Sequence, residues 1–305
     1  MGYNMTLAQK KRRRRNNLTA YAFMSPWFIG FGCFSAFPIF YMFAISLTNR
    51  KLVGLSRYIG FKNYVNMFKS ATVMNSLKVT LIVTIGMMVI TTIWALLLAM
   101  LLNRKQSGNK AFQFFYFIPA VIPTVALAYA FRMILGNDTG ILNYILTQLT
   151  GQRIVVNWLL DGRTVYPSVF LVSLYTYGTG QMMLIFLSGL KDVPRELYEA
   201  CDIDGASPWR KFVSVTLPII SPVLLFNVVM GSISALNGSF AMLYPLTGGD
   251  PNGMTNVLSL AIYKEAFLNY KVGYGAGISV LLFLIAGLLA AVLFRLSKKF
   301  VYYEV

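Results

Sequence analysis

The chain is 305 residues long, 57% hydrophobic and only 12% charged, with 27 lysines and arginines against 10 acids and a formal net charge of +17. Soluble domains carry about a quarter charged residues, so this composition marks a membrane protein with little chain left for any soluble domain. It contains no histidine, which excludes histidine metal sites and histidine bases. It also has no G-x-x-x-x-G-K-[ST] phosphate cradle, so it does not itself hold ATP in a P-loop.

In chain order, residues 1–19 form a basic tail that includes the run Lys10 to Arg15. Such a run could signal nucleic acid, but it sits just before the apolar stretch Tyr21–Leu47, where basic residues set the cytoplasmic side of a span. That stretch exceeds a signal-peptide core and lacks an A-x-A cleavage site, so a removable leader is not expected. A hydrocarbon core takes about 20 apolar residues as helix. Six segments qualify: Tyr21–Leu47, Val79–Leu102, Phe112–Leu135, Val165–Leu190, Ile219–Leu243 and Ala276–Leu296. Residues 20–297 read as one all-α membrane domain of six helices, and residues 298–305 as a short tail. Sixteen lysines and arginines fall in the polar segments on the side of the termini and ten on the other. Both termini are therefore expected in the cytoplasm. Cys33 lies in a span and Cys201 in a polar loop, so no disulfide is expected.

The third segment carries Pro119 and Pro123 one turn apart, which predicts a bend and freed backbone carbonyls. Arg132 is the one charge inside a segment, near its outer end. No Asp, Glu or Lys lies in any of the six, so the buried carboxylate relay of ion-coupled transport is missing. The charged rings of a selective channel are missing too. What remains is hydroxyls, amides, glycines and aromatics, which suit a neutral polar solute such as a sugar. The candidate pathway residues are Thr124 in the third segment and Tyr177, Gly178 and Gln181 in the fourth, beside Tyr175. In the fifth they are Asn237, Ser239 and Phe240, beside Tyr244. The competing reading of each is helix-to-helix adhesion, a common use of small polar residues in membranes.

Between the fourth and fifth segments lies the loop 191–218, which holds five of the ten acids: Asp192, Glu196, Glu199, Asp202 and Asp204. Pro194 suits the first turn of one helix, and Ser207-Pro208 reads as N-cap and N1 of a second. Asp204-Gly205 supplies the turn between them. The loop is a helix–turn–helix.

The spacing Glu199-Ala200-Cys201, three residues, Gly205, nine residues, Val215, one residue, Leu217-Pro218 resembles the EAA signature of the membrane subunits of binding-protein-dependent ABC importers. Cys201 and Val215 replace the usual alanine and isoleucine. Gly60-Phe61-Lys62-Asn63-Tyr64, the first span and the proline-rich third span resemble the carbohydrate-uptake group of that family. The resemblance implies the type I importer permease fold, six helices with a coupling helix–turn–helix between the fourth and fifth. It also implies that Glu199, Ala200, Cys201, Asp204, Gly205 and Ala206 dock on an ATPase. A non-enzymatic subunit of a bacterial-type cytoplasmic membrane is implied, providing half of a translocation pathway. Its partners would be a second, different permease chain, two ATPase subunits and an extracytoplasmic solute-binding protein. The chain would carry no cofactor, ATP and magnesium being held by the ATPases. The rivals are related permeases for amino acids or oxyanions, and a multi-pass scaffold or enzyme. The last lacks paired carboxylates or a nucleophile arrangement at one membrane depth.

Overall fold

The computed structural model describes residues 7–103, 108–138, 140–175 and 177–300, which form helices joined by turns and loops, with an isolated bridge between Thr48 and Tyr58. Helix α1 (Leu7–Phe31) runs through a π-helical turn at Gly32–Ala36 into α2 (Phe37–Ser46). The short α3 (Lys62–Lys69) and the long α4 (Ala71–Asn103) follow. Then come α5 (Asn109–Phe117), α6 (Thr124–Ile134), α7 (Ile141–Thr150), α8 (Val165–Leu174) and α9 (Tyr177–Lys191). After α10 (Arg195–Ile203), α11 (Pro208–Lys211) and α12 (Leu217–Ile219), the chain ends in α13 (Ser221–Thr247), α14 (Leu258–Tyr263) and α15 (Val272–Phe300).

Among the described residues, four unbroken helical stretches are long and apolar enough to cross a membrane: Asn16–Ser46, Ala71–Asn103, Ser221–Thr247 and Val272–Lys298. The expected third and fourth spans are bent pairs, at 99° between Asn109–Ala120 and Thr124–Ile134 and at 53° between Val165–Leu174 and Thr179–Lys191. Counting each pair once restores six. The 99° break is the proline effect, made larger than a bend. Pro119 sits in a 3-10 turn and Pro123 has ψ of 130°, so Thr124 starts a new helix, because a proline ring excludes the helical carbonyl four residues back. The break after Leu174 was not expected. Beyond the break the α9 backbone lies close against α5: a Cβ on Gly180 would stand 2.7 Å from the Tyr116 carbonyl oxygen.

Helix α4 is the axis of the bundle. It packs on both α9 and α13, and 39% of its apolar window is buried, against none for the first span. One core cluster joins Val79, Val83 and Met87 of α4 to Val169 of α8 and Leu243 of α13. A second joins Leu98 and Ala99 to Phe186 and Leu190 of α9 and to Ile220. Outside these, Phe23, Phe34 and Leu288 stand 83%, 85% and 67% exposed. Apolar surface of that kind faces hydrocarbon rather than water.

Segment ends shift for local reasons. Helix α4 begins eight residues before the expected Val79 because Ser70 caps it, its hydroxyl accepting from Val73 N–H at 3.4 Å. The polar extension is then used: Asn256 donates to Ser76 Oγ at 2.8 Å and Leu258 N–H to Thr80 Oγ1 at 2.8 Å. The Gly60-to-Tyr64 element has a structural reason as well. Buried Asn63 donates to the carbonyls of Ser46 and Thr48 at 2.7 and 2.8 Å, and Tyr64 hydroxyl bonds Ser46 hydroxyl at 2.7 Å. These bonds cap the free end of α2. The charged Arg132 donates to Pro245 carbonyl at 3.1 Å, tying α6 to α13.

Helix α15 starts at Val272, four residues before the expected Ala276, where Gly273 meets the loop that follows α2. Its N–H donates to Arg50 carbonyl at 2.8 Å, and a Cβ there would collide with the Thr48 carbonyl oxygen. Gly273→Ala is expected to destabilise the folded chain by about 1–3 kcal/mol, the usual cost of overpacking. Thermal unfolding of the detergent-solubilised protein measures this, and an unchanged midpoint rejects the close approach.

Candidate functional site

The loop 191–218 is built as two short helices around one strained turn. Pro194, with ψ of 135°, is the N-cap of α10 rather than a residue of its first turn. Asp204 closes the helix, and Gly205 follows at φ +67°. Gly205 N–H bonds Asp202 carbonyl at 3.1 Å and Ala206 N–H bonds Cys201 carbonyl at 2.9 Å. This paired pattern is the Schellman motif, which needs a left-handed residue at the glycine position. Ser207 then caps α11, accepting from Arg210 N–H at 3.3 Å. Lys211 and Asp202 form an ion pair across the turn.

One side of this unit is fixed to the bundle. Val193 is buried in the second core cluster, with Tyr198, Val215 and Ile219 packed on it, and Tyr198 hydroxyl bonds Thr216 Oγ1 at 2.7 Å. The other side is free. Glu199, Ala200, Asp204 and Gly205 are exposed, Cys201 and Ala206 half-buried, and a Cβ on Gly205 would meet nothing within 4 Å. The structure thus brings all six motif residues onto one projecting unit. It adds two that motif reasoning passed over: Ile203 and Trp209, 88% and 73% exposed. Large apolar side chains in an otherwise polar loop were the available signal.

Within the bundle, a half-open cavity of about 270 Å³ lies between α4, the broken third and fourth spans, and α13. Thr124, Asn237 and Ser239 line it as expected. Gln181 is half-buried but is not among the lining residues. Phe240 stacks instead on Tyr244, with ring centroids 5.5 Å apart. The surroundings of Tyr177 and Gly178 fall outside the described side chains, and Tyr175 packs against Phe131 at 6.0 Å. Sequence reasoning missed Thr91, Ser173 and Ser234, and the methionines Met87, Met182 and Met242. Nothing in a run such as Thr91-Thr92 says which hydroxyl turns inward.

The lining carries no charge. Thr91 hydroxyl donates to Met87 carbonyl at 2.6 Å and Ser239 hydroxyl to Leu236 carbonyl at 3.2 Å, which leaves their oxygen lone pairs as acceptors. The side chains of Thr124, Ser234 and Asn237 make no hydrogen bond among the described residues. Among the described residues there is also no cluster of three metal-ligating side chains. A helical membrane bundle with an uncharged polar cavity and a rigid polar unit projecting from one end is a permease.

Comparison places it further. Residues 91–301 match the family described as binding-protein-dependent transport system inner membrane component. The chain is 34% identical over 303 residues to the probable ABC transporter permease protein YesP of Bacillus subtilis, covering 97% of this chain and 96% of that one. It is 30% identical to the multiple sugar-binding transport system permease protein MsmF of Streptococcus mutans, covering 88% and 91%. The fold matches a chain in the crystal structure of a bacterial alginate ABC transporter in complex with alginate pentasaccharide-bound periplasmic protein. There the TM-score is 0.83 at 21% identity, over 96% of this chain and 99% of that one. The protein belongs to the binding-protein-dependent transport family and is a multi-pass ABC importer permease.

Proposed function

We propose that this permease forms half of an ATP-driven pathway for a sugar or oligosaccharide handed over by the binding protein. The observation that carries this is the cavity chemistry. Five hydroxyls and one amide stand among methionines with no charge, a set that hydrogen-bonds neutral polyols and has no cation for an oxyanion or for the carboxylate of an amino acid. Relatives named for sugars and arabinooligosaccharides support the cargo class. The half-open cavity needs a second permease chain to close it. The unit around Gly205 faces the cytoplasm in this reading, with Glu199 to Ala206 against an ATPase subunit and ATP and magnesium held there. Closure of two ATPases moves the rigid unit and rocks the spans between outward and inward access.

The complex copurified with its ATPases and binding protein, reconstituted in liposomes, is expected to take up labelled neutral saccharides with ATP. Uptake of an amino acid or oxyanion instead of every saccharide rejects the reading. Within that assay, Asn237→Leu is expected to lower uptake about two- to tenfold, the worth of one hydrogen bond, with assembly intact because the amide has no partner in the chain. Gln181→Leu, away from the cavity lining, is expected to change uptake less. Equal loss of assembled complex in both variants makes these amides helix adhesives.

A further inference from the structure

The strongest unassigned feature is a ladder of four aromatic rings that climbs away from the cavity. Asn237, Phe240 and Tyr244 are spaced i, i+3 and i+7 on α13, which puts them on one helix face. Phe240 and Tyr244 stack with planes 7° apart. Tyr263, at the end of α14, lies 5.3 Å from Phe240 and 5.2 Å from Tyr244 by ring centroid. Phe267 continues the series 5.8 Å beyond Tyr263.

Phe240 and Tyr263 pack against the first core cluster, but core packing does not account for Tyr244 and Phe267, which are 39% and 56% exposed. Lipid does not suit it either, because the same face carries the Asn237 amide, which is costly against hydrocarbon. Flanking charges are engaged elsewhere. Lys264 donates to Gly248 carbonyl at 3.0 Å, and Glu265 stands 3.8 Å from Lys271. What the ladder offers is therefore neutral ring faces with two phenols, continuous at Asn237 with the cavity.

We infer that these rings form a sliding track for saccharides between the outer mouth and the cavity. A pyranose presents C–H faces of slight positive charge, which the negative faces of aromatic rings attract, while its rim hydroxyls meet the tyrosine phenols. Ring-to-ring steps of similar length let a sugar shift from one platform to the next without a deep trap. This inference rests on the carbohydrate reading above.

The test uses the full reconstituted importer with labelled glucose, trehalose and maltotriose. Phe267→Leu and Tyr244→Leu remove a ring face, while Phe267→Trp and Tyr244→Phe keep one. The leucine variants are expected to lower maltotriose uptake about two- to tenfold each, the scale of one aromatic contact, with a smaller effect on glucose. Phe267→Trp is expected to transport more than Phe267→Leu, and Tyr244→Phe, which keeps the ring but loses the phenol, to fall between Tyr244→Leu and the unmodified chain, with all four copurifying with the second permease. Normal maltotriose uptake by both leucine variants overturns the track. Loss of the second permease in the leucine variants alone also overturns it, and makes the rings an interface between permease chains. If the unmodified importer moves none of the three sugars nor any other saccharide, the cargo reading itself has failed, and the track falls with it.

Discussion

Gly205→Val is expected to abolish coupling while the permease still inserts and assembles in the membrane. Gly205 sits at φ +67°, a conformation that costs an L-residue about 1–2 kcal/mol, with a branched Cβ at the upper end. Within the chain itself the new side chain meets nothing within 4 Å, so the bundle has no reason to misfold. The damage falls on the turn, where Gly205 and Ala206 N–H groups close α10, and on the surface proposed to meet the ATPase. Binding-protein-stimulated ATP hydrolysis in liposomes is expected to drop to the unstimulated rate, with uptake lost in parallel. Gly205→Ala, which strains the turn but adds little bulk, is expected to retain part of it. Full stimulation in the valine variant removes the coupling role from this turn.

The second large effect belongs to the cavity. Ser234 lines it, and its hydroxyl makes no hydrogen bond among the described residues. Ser234→Trp therefore fills a space of about 270 Å³ without leaving a polar partner stranded. Uptake is expected to fall at least about tenfold, equal to 1.4 kcal/mol of lost transition-state access, while the complex is recovered in normal yield. Ser234→Ala, which only removes a hydroxyl, is expected to cost about two- to tenfold, the worth of one hydrogen bond. Undiminished uptake by the tryptophan variant means that the solute passes elsewhere.

The sequence by itself determined the membrane class, the number of spanning segments and the polar helix–turn–helix. Each of these is written locally. Apolar length is counted along the chain, Ser207-Pro208 caps the helix that follows it, and Gly205 takes positive φ because it has no Cβ. The fixed spacing of Glu199, Ala200 and Gly205 made the family legible for the same reason. Tertiary structure decided what depends on neighbours distant in sequence. Gly180 meets the Tyr116 backbone so closely that no side chain fits between them. Thr91, Ser173 and Ser234 join Thr124, Asn237 and Ser239 around one cavity, whereas Gln181 is not part of its lining. Phe240, named for the pathway beside Ser239, stacks in a ladder completed by Tyr263 and Phe267 from a different segment. In a bundle that is apolar nearly all round, periodicity gives no inside face to read. Only the packing of α4 against α9 and α13 picks out which hydroxyls look inward.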